Sequence, residues 1–162
     1  MSVRDLEAPP TRGAKHEALD AFAGRWRAEG DSYGGPNQSP DLPKGAPDKW
    51  RSTHTGKWHT GAFFLIQDER ALIGADAKPF DTLSIMGVDA RTGRYFARCF
   101  ENHGFYRQYD VVSNGRTWTM TGESERARIV FSDDGRTQTI TWEWRPDEQW
   151  LPLCDRTAIK DD

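Results

Sequence analysis

The chain has 162 residues and a formal net charge of −3, and 36% of its residues are hydrophobic. This length fits a single domain around one core, and no second domain is required. Lysine and arginine are interspersed with acidic residues, which disfavours a nucleic-acid-binding face. No apolar run resembles a signal peptide or a membrane span. We therefore expect a cytoplasmic protein with no nucleic-acid or membrane partner, and leave open whether it forms a homodimer.

The first elements predicted along the chain are an arm, a short helix and a strand. Residues 1–13 show no periodicity, which predicts a flexible N-terminal arm. Leu19 and Phe22 have helical spacing, and Gly24 stands where such a helix should end. From there the residues alternate, with Trp26 on the apolar face. We expect Leu19 and Phe22 to plug one end of a barrel, with Trp26 in the core beside them.

The remaining sequence is typical of strands joined by turns. Residues 31–49 are rich in glycine and proline, which predicts either a lid over a barrel mouth or local disorder. From Trp50 onward, strand patterns and turn signals alternate about every ten residues. The run from Ala62 to Leu72 is apolar enough to predict burial on both faces. The strongest hairpin signals are the Asn-Gly pair at 114–115 and the Asp-Gly pair at 134–135.

About ten strands in a meander predict a closed antiparallel up-and-down barrel, because closure removes unpaired edges. A barrel of roughly eight or more strands can hold one small ligand if side chains do not fill its interior. We therefore expect residues 14–162 to form a single all-β barrel domain, with the short N-terminal helix capping one end.

The spacing of Gly24, Trp26 and Gly30 just after a short helix, followed by a ten-strand meander with glycine turns, resembles the calycin-like barrels, which include lipocalins, fatty-acid binders and nitrobindins. The layout is most similar to an uncharacterised bacterial domain-of-unknown-function family of about this length. The residues that match the motifs of that family are Gly24 and Trp26, then Gly87-Val88-Asp89, then Glu101-Asn102-His103-Gly104. This resemblance implies the fold more than it implies a function.

We expect neither a metal nor a cofactor. Nitrobindins hold haem through a histidine on a late strand, and this sequence has no histidine after His103. The resemblance therefore disfavours haem, with Cys154 as the one formal alternative ligand. Cys99 and Cys154 lie far apart without a CxxC motif, which disfavours zinc and predicts buried thiols. His54 and His59 lack the spacing of metal ligands.

Arg107 is the sharpest candidate for ligand binding. It shares the strand phase of Phe105 and Tyr109, which predicts that it faces the barrel interior. A guanidinium in that position needs an anionic partner. The partner is either an acidic ligand or a carboxylate of the wall, with Glu101 and Asp155 as the candidates.

Arg98, on the neighbouring strand, shares a phase with Phe100. If that phase faces inward, Arg98 and Arg107 converge on one carboxylate or phosphate. The sequence leaves open which face of the strand from Tyr95 to Glu101 looks inward. The residues that we predict to bind ligand are Arg107, Arg98, Tyr109, Trp142, Trp144, Trp118 and Phe100.

Three functions are compatible with these features. The first is binding of a small acidic or aromatic hydrophobic molecule in the cavity, and the aromatic content favours it. The second is an enzyme of lyase, isomerase or hydrolase type in the same cavity. Its acid, base or electrostatic stabiliser would come from Glu101, His103, Tyr106, Tyr109 or Arg107. The third is a filled barrel that binds another protein.

Overall fold

The structure is a computed structural model that describes residues 8–161. Within that range, helix α1 (Ala14–Ala18) and a 3-10 turn (Leu19–Phe22) precede eleven strands. The strands are β1 (Gly24–Ser32), β2 (Asp48–Trp58), β3 (Phe64–Ile73), β4 (Lys78–Pro79), β5 (Thr82–Val88), β6 (Tyr95–Glu101), β7 (Tyr106–Asn114), β8 (Thr117–Thr121), β9 (Glu125–Phe131), β10 (Thr137–Trp144) and β11 (Leu151–Asp161). Neither described helical segment is long and apolar enough to cross a membrane.

Ten of the strands close into an up-and-down barrel. Successive strands pair antiparallel, and β3 pairs with β5 because the two-residue β4 lies outside the barrel along β3. The barrel closes where β1 pairs with both β2 and β11. The predicted all-β antiparallel barrel of about ten strands is therefore confirmed.

Alternate residues of each strand face the barrel interior. In β1, Trp26 and Ala28 are buried, and the arginines on either side of Trp26 are exposed. The prediction that the run from Ala62 to Leu72 is buried on both faces is wrong. Phe64 and Leu72 are 41% and 40% exposed, because the outer face of the barrel wall meets solvent.

The N-terminal helical segment plugs one end of the barrel. Leu19 and Phe22 are fully buried, and the Phe22 ring packs edge to face on Trp118 and Phe131 at 5.1 and 5.0 Å. A Cβ atom at Gly56 would lie 2.2 Å from the carbonyl oxygen of Phe22, so glycine is what allows the plug to seat against β2. The predicted plug is confirmed.

The opposite end of the barrel is bordered by the loop of residues 33–47. Trp144 Nε1 donates a hydrogen bond to Gln38 Oε1 at 2.9 Å, and the Tyr33 hydroxyl donates to a carboxylate of β11. The loop is thereby attached to the rim formed by β10 and β11. Gly34 of this loop lines the cavity, so the loop contributes to the rim. A lid over the mouth stays a prediction.

The predicted N-terminal arm enters the structure only over residues 8–13, since residues 1–7 lie outside the described range. Arg12 Nε donates a hydrogen bond to the Ala62 carbonyl oxygen at 2.9 Å, and its guanidinium lies 5.1 Å from the ring centre of Trp58. This part of the arm packs on the barrel. The domain boundary itself stays a prediction.

Candidate ligand-binding cavity

The barrel encloses a cavity of about 540 Å³ on the open side of the plug. Apolar side chains dominate its wall, among them Met86, Met120, Ile129, Ile140 and Trp142. Ala97 is a small residue at an inward position of this wall, and it leaves volume open where a larger side chain would fill it. The third alternative requires a barrel interior filled by side chains, and that requirement is therefore wrong.

A buried ion pair forms part of the cavity wall. Arg156 Nη1 lies 3.1 Å from both carboxylate oxygens of Glu69, and the two side chains are 10% and 17% exposed. The Arg156 guanidinium lies 4.5 Å from the ring centre of Trp50, and the Ser52 hydroxyl donates to Glu69 at 3.2 Å. These contacts fix the guanidinium in place on the wall.

Gly30 allows β1 and β11 to approach each other closely beside this ion pair. It stands opposite Arg156 on β11 and opposite Trp50 on β2. A Cβ atom at position 30 would lie 1.8 Å from the Asp155 carbonyl oxygen, so no larger residue fits there without moving a strand. The second glycine of the first-strand motif therefore has a steric role next to the cavity.

His54 lies beside the ion pair without a hydrogen bond to it. Its Nδ1 atom is 3.9 Å from Glu69 Oε2, and its ring stacks on Trp26 with centroids 6.0 Å apart. Burial lowers the pKa of His54 to about 4, the nearby Glu69 opposes that shift, and Arg156 adds to it. His54 is therefore uncharged at neutral pH.

Three buried nitrogen atoms of the cavity wall have no hydrogen-bond partner among the described residues. They are His54 Nδ1, Gln138 Nε2 and Arg156 Nε. Buried polar groups in proteins are nearly always paired, because an unpaired one loses its hydration without compensation. The wall therefore contains unused hydrogen-bonding capacity.

A second ion pair lies nearer the open end. Arg107 Nε is 3.1 Å from Glu125 Oε1, and the Tyr109 hydroxyl donates to Glu125 Oε2 at 2.8 Å. Burial raises the pKa of Tyr109, and the adjacent Glu125 raises it further. Tyr109 is thus a protonated hydrogen-bond donor to Glu125 at neutral pH.

Glu101 and His103 form a polar pair at the cavity mouth. His103 Nδ1 lies 2.6 Å from Glu101 Oε2, and the backbone N–H groups of His103 and Phe105 also donate to this carboxylate. Burial acts to raise the pKa of Glu101, but these hydrogen bonds outweigh burial and hold it below its ordinary value. Glu101 is therefore ionised, and half of His103 is exposed to solvent.

Both cysteines are free thiols that line the cavity. Burial raises the pKa of Cys154 to about 11 and also raises the pKa of Cys99. Neither sulfur has the lowered pKa of an activated nucleophile. Within residues 8–161, no three His, Cys, Asp or Glu side chains are grouped as metal ligands.

The amino-acid sequence matches a protein family over residues 11–150, which is most of the chain. That family is described as "Protein of unknown function (DUF1579)". The chain belongs to the DUF1579 family. No curated protein matches the sequence. The matched region ends just before β11, the strand that carries Arg156.

The barrel is also similar to solved structures. Rv2717c from M. tuberculosis superposes with a TM-score of 0.66 at 14% identity, covering 94% of this chain and 100% of that one. The S-type phycobiliprotein lyase CPES from Guillardia theta superposes with a TM-score of 0.50 at 11% identity, covering 93% and 94%. At such identities the likeness shows the fold alone. Together with the family match, it confirms the resemblance to calycin-like barrels of a domain-of-unknown-function family.

Four of the predicted binding residues of this DUF1579 protein lie at the cavity. They are Arg107, Tyr109, Trp142 and Trp144. The rings of Tyr109 and Trp142 pack edge to face with centroids 5.4 Å apart. Arg107 faces the interior as its strand phase predicts, but its partner is Glu125 and not one of the two predicted acids. Ligand binding by these four residues stays a prediction.

Arg98 and Phe100 lie on the outer face of the barrel, so their predicted convergence with Arg107 is wrong. In the register of β6 and β7, Cys99 stands opposite Arg107, and both belong to the cavity wall. Arg98 and Phe100 therefore have the opposite phase. Phe100 is 42% exposed, and its ring stacks on that of Tyr106 with centroids 5.0 Å apart. Tyr106 therefore also lies on the outer face and not in the cavity.

Trp118 is buried, but it belongs to the plugged end and not to the described lining of the cavity. Its ring packs edge to face on Phe22 and Tyr95, each with a centroid separation of 5.1 Å. Its apolar phase identified the inward face of β8 correctly. That phase does not distinguish the depth at which a residue lies in the barrel.

The polar residues of the deep wall were not predicted from the sequence as ligand-binding residues. These are His54, Glu69, Gln138 and Arg156, with Glu125 nearer the mouth. Each shares the strand phase of buried residues, as Gln138 does with Ile140, and as Arg156 does with Cys154 and Ala158. The phase criterion applied to Arg107 would have identified all of them.

Proposed function

We propose that this protein binds a small molecule with an aromatic or aliphatic body and a polar head group in the barrel cavity. The observation that carries the proposal is the cavity itself. Its volume of about 540 Å³ is within the range of ligand pockets, roughly 300–1,000 Å³, and its wall combines apolar side chains with a few polar ones.

The aromatic residues near the open end suit the body of such a ligand. Trp142 and Trp144 line the cavity there, and Phe105 and Phe80 border it. Flat rings of this kind stack on aromatic or conjugated molecules. They favour an aromatic ligand over a flexible aliphatic chain.

Two measurements test the proposal. The first is native mass spectrometry of gently purified protein, which reports any co-purifying molecule. The second is titration with N-phenyl-1-naphthylamine, an uncharged fluorescent probe. Ala97 is buried on the cavity wall, so Ala97→Leu should reduce the volume and weaken probe binding by about tenfold.

Ala90→Leu is the matched control, because it adds the same atoms at an exposed turn. It should bind the probe as the wild type does. Equal weakening by both variants, or equal binding by both, would place the probe outside the cavity and contradict the proposal. Absence of probe binding together with absence of any co-purifying molecule would also contradict it.

Catalysis in the same cavity is the second candidate, and the pair of Glu101 and His103 at the mouth favours it. An ionised carboxylate 2.6 Å from an imidazole is an arrangement that orients a general base. A metabolite extract incubated with the protein and compared by mass spectrometry tests this function. A mass change that requires His103, judged with His103→Gln, supports catalysis, and an unchanged extract contradicts it.

A further inference from the structure

Three residues of the cavity wall carry a buried nitrogen atom that has no hydrogen-bond partner among the described residues. Gln138 is 2% exposed, and its Nε2 atom has no partner among the described residues. The same holds for Arg156 Nε, which can only donate, and for His54 Nδ1, which donates or accepts according to its tautomer. A group that pairs with these atoms must therefore offer an acceptor.

Strand register brings the three residues to the same region. Gln138 stands opposite Phe131, and His54 stands opposite Trp26, and both of these aromatic partners belong to the core at the plug. Arg156 and His54 both approach Glu69 Oε2, at 3.1 and 3.9 Å. Arg156 and His54 therefore meet at Glu69, and with Gln138 they form the part of the cavity wall that we call its inner end.

This inner end has no net charge to offer a ligand. Arg156 is neutralised by Glu69, with both carboxylate oxygens at 3.1 Å. His54 is uncharged at neutral pH, because burial lowers its pKa to about 4. The other arginine of the described wall, Arg107, already pairs with Glu125.

We propose that the inner end of the cavity binds an uncharged carbonyl group, of the ketone, amide or quinone type, and discriminates against a carboxylate. The inference rests on the proposed function and specifies the head group of its ligand. A carbonyl oxygen accepts two hydrogen bonds without adding charge. Burial of a carboxylate beside Glu69 would place a second anion there without a free cation, which is unfavourable.

A series of four naphthalene probes tests this inference. The probes share one ring system and differ in the group at position 2: acetyl, carboxamide, carboxylate or ethyl. Their affinities are measured at pH 7.4 by quenching of tryptophan fluorescence. The ketone and the amide should bind about tenfold more tightly than the ethyl compound and the carboxylate.

Gln138→Met removes one donor and keeps the length of the side chain. It should reduce the preference for the ketone over the ethyl compound by about fivefold and leave the affinity for the ethyl compound unchanged. Gln108→Met is the matched control, because Gln108 is exposed on the outer face of β7. It should keep the wild-type preference.

The outcomes separate this inference from the proposed function. Tighter binding of the carboxylate, or equal binding of ketone and ethyl compound, overturns the inference and leaves cavity binding intact. An unchanged preference in Gln138→Met also overturns it. If none of the four probes binds, or if Ala97→Leu weakens none of them, the proposed function itself fails.

Discussion

Arg156 and Glu69 form an ion pair in which one guanidinium nitrogen lies 3.1 Å from both carboxylate oxygens. Both side chains are largely buried in the cavity wall. The loss of hydration offsets much of the attraction within such a pair, so the intact pair contributes little net stability. Removal of one partner leaves an uncompensated buried charge, and the barrel is therefore sensitive to substitution of either residue.

Glu69→Gln should lower the free energy of unfolding by about 3–5 kcal/mol, because it leaves the Arg156 charge buried without a partner. Urea unfolding followed by tryptophan fluorescence measures this loss. Arg156→Met in the same chain should recover most of it, because the buried charge is then removed as well.

The ion pair between Arg27 and Asp161 provides the matched control. Its atoms are 2.8 Å apart, but both side chains are solvent-exposed. Asp161→Asn should therefore change the free energy of unfolding by less than about 1 kcal/mol. If Glu69→Gln lowered the free energy of unfolding no more than Asp161→Asn does, burial would not explain the sensitivity of the Arg156–Glu69 pair to substitution.

His54 should make the stability of the barrel depend on pH. In the unfolded chain its pKa is the ordinary 6.5, and burial lowers it to about 4 in the folded protein. Between these values the unfolded state binds more protons, so stability should fall as the pH drops from about 6.5 to 4. A pKa difference of this size corresponds to about 3 kcal/mol.

The contribution of His54 is isolated by comparing wild type with His54→Gln in urea at several pH values. The difference between their free energies of unfolding should change by about 3 kcal/mol between pH 7 and pH 4. His59 is exposed, and His59→Gln should track the wild type throughout. If the difference in free energy of unfolding between wild type and His54→Gln stayed constant with pH, His54 would have the same pKa in the folded and unfolded states.

The sequence was sufficient to predict the barrel, because closure and strand phase follow from local patterns. Turn signals and alternation gave about ten strands, and helical spacing gave Leu19 and Phe22 as the plug. The same alternation placed Arg107 on the inner face. Each of these conclusions depends only on residues near one another in the chain.

Which residues line the cavity depends on the pairing between strands, and the pattern of a single strand does not show it. Both phases of β6 carry aromatic residues, so the pattern does not show that Tyr95 faces inward and Phe96 outward. The partner of Arg107 is Glu125, two strands away on β9, and that contact depends on the register of the whole wall. Long-range register therefore limits sequence-based assignment of the cavity.

Gly30→Ala should destabilise the barrel, because the added Cβ would lie 1.8 Å from the Asp155 carbonyl oxygen. Relief of this overlap requires β1 and β11 to separate next to Arg156. We expect a loss of at least about 2 kcal/mol in the free energy of unfolding, measured in urea. Gly35→Ala is the control, since a Cβ there meets nothing within 4 Å, and similar losses in both variants would contradict the steric explanation.

Gln38→Ala should release the loop of residues 33–47 from the rim without unfolding the barrel. The Gln38 side chain accepts a hydrogen bond from Trp144 Nε1 at 2.9 Å and donates to the carbonyl oxygens of Pro43 and Pro152. Amide hydrogen exchange in the loop should therefore accelerate by about tenfold, while the free energy of unfolding changes little.

Asn37 is exposed in the same loop, so Asn37→Ala is the control for Gln38→Ala. The loop amides of Asn37→Ala should exchange at the wild-type rate. Because Gly34 of the loop borders the cavity, a released loop should also let N-phenyl-1-naphthylamine dissociate faster from Gln38→Ala than from wild type. Stopped-flow fluorescence measures that rate. Faster loop exchange with unchanged dissociation would show that the probe leaves by a route that the loop does not border.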